Sequence, residues 1–147
     1  MKKKILLVFL LLSVKFFAQQ QTATYSIIPN TFDENQAITI TINGSSINEA
    51  TWGVTANALY LWAWAFDTND TSEKGTPNNG DWTASSEASK FTYNAATDTY
   101  TKTITPAIYY NTTGIGKIGF LVKAKNGTGD KKSQDIVVEV GSFQASL

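Results

Sequence analysis

The sequence predicts an all-β sandwich of about seven strands, on three observations. Ile38-Thr39-Ile40-Thr41-Ile42 alternates apolar and polar residues with period two, and 100–104 does so again, so each run has one face for a core and one for water. Turn signals such as Asn43-Gly44 and Asn126-Gly127 separate the runs at short intervals. Beyond the first twenty or so residues, no run repeats its apolar residues convincingly at helical spacing.

The elements follow in order. Lys2, Lys3 and Lys4 precede an apolar run at 5–12, extended by Val14, Phe16 and Phe17. Ser13 and Lys15 interrupt the run, and it is too short to span a bilayer, so 1–19 reads as a signal peptide cleaved near Ala18 or Gln19. Residues 20–23 read as a spacer and 24–141 as the domain. A first strand at 24–28 ends at Pro29-Asn30, and a second covers 37–43. The stretch 45–55 is irregular and holds Trp52, which reads as a packing residue. An aromatic strand occupies 58–66, and a long polar loop follows at 67–87. Phe91 and Tyr93 mark a fourth strand, 100–105 a fifth that stops at Pro106, 117–125 a sixth broken by Gly119, and 134–140 a seventh. Residues 142–147 read as the start of a linker or of a further domain.

Composition narrows the function. The formal net charge of the chain is +0, but removing the four lysines of the signal segment leaves 8 lysines against 12 acids, a net of −4. With no arginine, such a domain is a poor partner for nucleic acid or an anionic membrane. Cys and His are absent, which excludes disulfides, Cys/His zinc sites, Ser-His-Asp and Cys-His nucleophiles and histidine bases.

The strand Tyr60-Leu61-Trp62-Ala63-Trp64-Ala65-Phe66 is the most informative run. Residues two apart share a face, so Tyr60, Trp62, Trp64 and Phe66 line one side and Leu59, Leu61, Ala63 and Ala65 the other. Two readings stay open. Immunoglobulin-like sandwiches bury a tryptophan on their third strand, which is this strand's place in the order, and then the aromatic face is core. Alternatively the Leu/Ala face is core, and the aromatic face is an apolar patch of the kind that marks a binding surface. Trp82 lies among Asn78, Asn79, Gly80, Asp81 and Thr83, a polar setting that suits a surface ring. Asp67, Asn69 and Asp70 are weak calcium candidates, since their spacing lacks the glycine and distal glutamate of an EF-hand, and a solvated turn is the simpler reading. No acid sits in an aromatic, pKa-raising setting, so catalysis by this segment is not expected, and neither is a cofactor other than that calcium.

Several segments together resemble a known group: the Ile-Thr-Ile-Thr-Ile-Asn-Gly strand ending at Gly44, Tyr60-Leu-Trp-Ala-Trp64, Asn79-Gly-Asp-Trp82, Tyr100-Thr-Lys-Thr-Ile-Thr-Pro106 and Ile118-Gly-Phe-Leu-Val-Lys123. They are similar to N-terminal β-sandwich modules of secreted Bacteroidetes polysaccharide-utilisation proteins, of the SusE type or preceding α-amylase-like glycoside hydrolases. They also look like starch-binding carbohydrate-binding modules of families 25 and 26, although a Trp-Pro-Gly loop is missing. The resemblance implies an immunoglobulin-like fold and a secreted, cell-surface or periplasmic module that binds polysaccharide or oligosaccharide and spans no membrane. It implies starch-like α-glucan as ligand and further domains of the same chain as partners. Trp62 and Trp64 match the platform strand of that group and Trp82 its loop aromatic, while Lys123 matches a residue that hydrogen-bonds sugar hydroxyls. The rivals are a structural spacer, which expects a buried aromatic face, and a protein-binding surface module.

Overall fold

The computed structural model describes residues 19–141. The expected signal peptide, apart from Gln19, and the stretch at 142–147 lie outside these residues. All seven expected strands form: β1 (Tyr25–Ile28), β2 (Ile38–Asn43), β3 (Leu59–Asp67), β7 (Thr92–Asn94), β8 (Thr99–Ile104), β9 (Ile115–Ala124) and β10 (Ile136–Glu139). Three short strands inside the expected loop are additional: β4 (Glu73–Gly75), β5 (Gly80–Asp81) and β6 (Ala84–Ser85). The chain is an all-β sandwich. One sheet has the order β1-β2-β8-β7 and the other β10-β9-β3-β4, with β5 and β6 as a separate ribbon. The named strand pairs are antiparallel.

Register explains where the core sits. In the first sheet Ile38 pairs with Ile104 and Ile42 with Tyr100, which puts their side chains on the inner face with Ile40. In the second, Leu59, Leu61, Ala63 and Ala65 pair with Ala124, Val122, Phe120 and Ile118. Ile40, Ile42, Leu59, Leu61, Phe120 and Val122 have no exposed surface. Each buried aliphatic or aromatic side chain contributes about 1.5–3 kcal/mol, which makes this layer the main source of stability. Lys102 occupies the inward phase of β8, and its Nζ reaches the carbonyls of Ala88 (2.7 Å) and Lys90 (3.3 Å).

Polar groups fix the rest. Pro106 opens a single helical turn, α1 (Pro106–Tyr109), because proline suits a helix's first position but cannot extend a ladder. Trp52 is core, with 1% of its surface exposed and its Nε1 donating to the Gln19 carbonyl at 2.6 Å. The expected spacer at 20–23 is instead fastened: Gln21 bridges to Ser133 and exchanges two hydrogen bonds with Asn48, and Ala23 exchanges two with the Gln134 side chain. No helix among the described residues is long and apolar enough to cross a membrane.

Candidate functional site

The Leu/Ala face of β3 is the core face, so the aromatic face points outward. Trp62, Trp64 and Phe66 are half-buried there, neither sealed nor free. Opposite them on β9 stand Leu121, Gly119 and Lys117, and Val137 of β10 pairs with Gly119 on its far side. Trp62, Trp64, Phe66, Leu121 and Val137, together with Trp82, Glu73, Lys132 and Asp135, line an open groove of about 460 Å³. Tyr60 belongs to the same row but is covered: its hydroxyl donates to Glu87 at 2.9 Å, and the Lys125 ammonium sits 5.7 Å from its ring centre. A smaller hollow of about 290 Å³ lies beside Trp52 and Tyr60. Those two rings are 1% and 2% exposed, so that hollow offers no tryptophan or tyrosine face to a ligand.

Two glycines seat the indoles. A Cβ on Gly119 would lie 2.1 Å from Nε1 of Trp64, so the ring rests directly on the β9 backbone. What the sequence presents as an interruption of β9 is the space that a large ring on the neighbouring strand needs. A Cβ on Gly127 would lie 2.5 Å from Cε2 of Trp82, and the Gly127 N–H donates to the Trp82 carbonyl at 3.0 Å. The ribbon β5–β6 thereby folds over the end of β9. Trp82 is half-buried and stands edge-on to Trp62, with ring centres 5.0 Å apart and planes at 86°. The indoles form a corner, not a flat shelf.

Beneath the corner lies Lys123, opposite Tyr60 in the register and with 0% of its surface exposed. Its Nζ donates to Ser85 Oγ (2.6 Å) and to the Lys125 carbonyl (3.0 Å). The same atom is 4.9 Å from the Trp82 ring centre and 5.7 Å from that of Trp62. Burial of the ammonium lowers its pKa to about 8. The resemblance implies a lysine that contacts sugar hydroxyls. Here its ammonium donates to two protein acceptors, has no exposed surface and does not line the groove.

The calcium candidates form a turn. Asp67 Oδ1 accepts from the backbone N–H groups of Asn69 (3.1 Å) and Thr71 (2.9 Å), and Oδ2 from the hydroxyls of Thr71 (2.8 Å) and Ser72 (3.1 Å). These donors, led by Thr71, hold the carboxyl's pKa down to about 2. Asp70 pairs with Lys117 instead of converging on Asp67. Among the described residues no cluster of three His, Cys, Asp or Glu side chains is arranged to hold a metal.

Leu121 and Val137 line the groove, and Gly119 and Gly127 lie against Trp64 and Trp82; the sequence alone assigns none of the four to the site. Pairing β9 with β3 in register would have found Leu121 and Gly119 at once, because both lie in phase with Lys123. The expected loop is held to β3 by Asn79, whose side chain accepts from the Ala63 N–H (2.9 Å) and donates to the Ala63 carbonyl (2.8 Å), replacing a neighbouring strand. No family model matches this chain, and no curated protein matches it.

Proposed function

We propose that this domain is a non-catalytic glycan-binding module, that its ligand is a neutral, starch-like α-glucan, and that it serves a larger glycan-processing protein outside the cytoplasm. The observation that carries this reading is the outward aromatic face of β3, where Trp62, Trp64 and Phe66 line an open groove closed on one side by Trp82. The core is supplied by the opposite face of β3 and not by these rings.

The chemistry of the groove supports a sugar. A pyranose presents a flat array of C–H groups that rests on the electron-rich face of an indole, while its hydroxyls need polar partners at the edge. Lys132, Asp135 and Glu73 supply those partners, and Lys132 and Asp135 are 3.4 Å apart, so their charges largely cancel. A corner of two indoles offers its faces in two directions, which suits a curved chain better than a flat ribbon. The spacer reading expects a buried aromatic face, and Trp62 and Trp64 are instead half-buried and outward.

Affinity electrophoresis of the folded domain through gels containing soluble starch, xylan or a mixed-linkage β-glucan tests the proposal. Retardation by starch is expected, with little dependence on salt because the ligand is neutral. Retardation by none of the polymers would overturn the glycan reading and favour a protein partner for the same groove.

A further inference from the structure

Among the described lysines Lys123 alone is fully buried. It has no exposed surface, and among the described residues it forms no ion pair. A methionine or leucine would fill similar space without the desolvation that lowers this lysine's pKa. What the ammonium adds is contact with three separate pieces of chain at once. It is rooted on β9, bonds Ser85 on the ribbon, and lies within cation–π range of Trp62 on β3 and of Trp82. The ribbon needs such a tie, since its strands are two residues each and cannot by themselves fix a ring as large as Trp82.

Resting on the glycan-binding reading of this groove, we propose that Lys123 is the positioning residue of the aromatic corner. Its protonated amine holds Trp82 edge-on to Trp62, and the corner slackens, weakening ligand binding, when that proton is lost. The neutral amine still has an N–H for each of its two acceptors, but those bonds lose their charge assistance and its attraction for both rings is lost. Trp82 is then held by the Gly127 seat and by its edge contact with Trp62 alone.

Other charged groups near Lys123 are arranged to leave its titration distinct. Tyr60, opposite it on β3, titrates above its ordinary value, chiefly through burial and its bond to Glu87. Lys125, just past the end of β9, is paired with Glu87 at 2.6 Å, which holds it protonated to higher pH than usual. Lys132, bridged to Lys123 from the segment before β10, faces Asp135, and Lys117 further along β9 pairs with Asp70. Asp81 on the ribbon and Lys131 before the Lys132 bridge are exposed and half-exposed.

The test begins without ligand. Two indoles this close couple excitonically, so a circular-dichroism couplet that Trp82→Phe removes responds to a change in how Trp62 and Trp82 are set against each other. In the full chain the couplet should change along a single titration centred near pH 8 while the far-ultraviolet strand signal stays constant. Lys123→Met should abolish that titration. Should that variant fail to fold, Ser85→Ala, which removes one acceptor from the ammonium, should move the transition to lower pH. Affinity for soluble starch should fall by between about twofold and about thirtyfold across the transition, the range from an exposed to a desolvated cation–π contact. A couplet that does not change with pH, one that titrates identically in Lys123→Met, or one that Ser85→Ala leaves unmoved overturns the proposal, however well starch binds. Starch affinity that is constant across a real transition overturns its binding half. A couplet that titrates through Lys123 in a domain that binds no polysaccharide leaves the positioning role standing and removes the glycan reading.

Discussion

Outside the first sheet, β2 and β8 set Thr39 opposite Thr103 and Thr41 opposite Thr101, with the hydroxyls of the first pair 2.8 Å apart. Outside the second, β3 and β9 set Trp62 opposite Leu121 and Trp64 opposite Gly119. The inner faces of the two sheets are both largely apolar and buried, with Ile40, Ile42 and Tyr100 on the first and Leu59, Leu61, Phe120 and Val122 on the second. Threonine is what an outer face needs for folding alone, since its branched Cβ suits a strand and its hydroxyl suits water. The second sheet departs from that solution and carries large rings over a glycine, with a ribbon and a buried lysine packed beside them. Core formation does not account for these outer rings, which supports the proposed binding role.

The comparison breaks first if the inner face of β3 is not what holds the sandwich together. Leu61 has no exposed surface, so Leu61→Ala should cost about 2–5 kcal/mol in urea unfolding, whereas Trp64→Ala on the same strand should cost less. The reverse order would make the aromatic side the structural one. A second variant carries the first sheet's outer face onto the second. Trp62→Thr combined with Trp64→Thr should give a folded domain that soluble starch no longer retards, a loss of more than about tenfold in affinity. The converse graft, Thr101→Trp, should create no retardation, because the first sheet has neither the groove nor the corner. Loss of folding in the double variant would reduce the contrast between the faces to one of stability.

A smaller effect tests the seat. Gly119→Ala places a methyl where Trp64 Nε1 now lies, so the ring must tilt off β9. Overpacking of this kind costs about 1–3 kcal/mol. Tryptophan emission should shift and starch retardation weaken, while the first sheet gives no counterpart. If Gly119→Ala leaves emission and retardation untouched, Trp64 does not depend on the glycine and the seat is incidental.

The strands were legible because one face of each meets a core and the other meets water, which writes period two into the chain at 38–42 and 100–104. The ribbon and β4 were not, because strands of two or three residues are too short to show a period, and Asn79 binds β3 through its side chain, which no backbone pattern records. The two faces of β3 were legible as faces, but not which of them was inner: both are apolar, and the choice rests on the partners of β9. Trp62, Trp64 and Trp82 stood out by residue type, and the fold brings them to one groove. The place of Lys123 was hidden for a different reason. On a strand it alternates like any outward lysine, and it is buried because a ribbon some forty residues earlier closes over it at Ser85.

The smallest expected effect lies where β3 ends. Asp67 turns the chain from the aromatic strand into β4, whose Gly75 and Glu73 stand opposite Trp64 and Phe66. Its carboxylate is held near pKa 2, first by the Thr71 N–H and hydroxyl and then by Ser72 and Asn69, against an ordinary value of 3.8. A carboxyl whose folded pKa is depressed adds stability above its unfolded pKa and loses it as pH falls through the folded one. The window is therefore from about pH 4 down to about pH 2. The group is open to solvent, so the loss should be slight. It should also be local, since the turn supports the rim of the aromatic face and nothing in the first sheet. Acid titration should thus alter tryptophan emission before the far-ultraviolet strand signal. Asp67→Asn, whose amide nitrogen cannot accept from the Thr71 and Ser72 hydroxyls, should lower the thermal midpoint slightly at neutral pH and flatten its fall between pH 4 and 2. An unchanged acid profile in Asp67→Asn would mean that this turn contributes nothing to the edge of the groove, and that the aromatic face is held by Gly119, Gly127 and Lys123 alone.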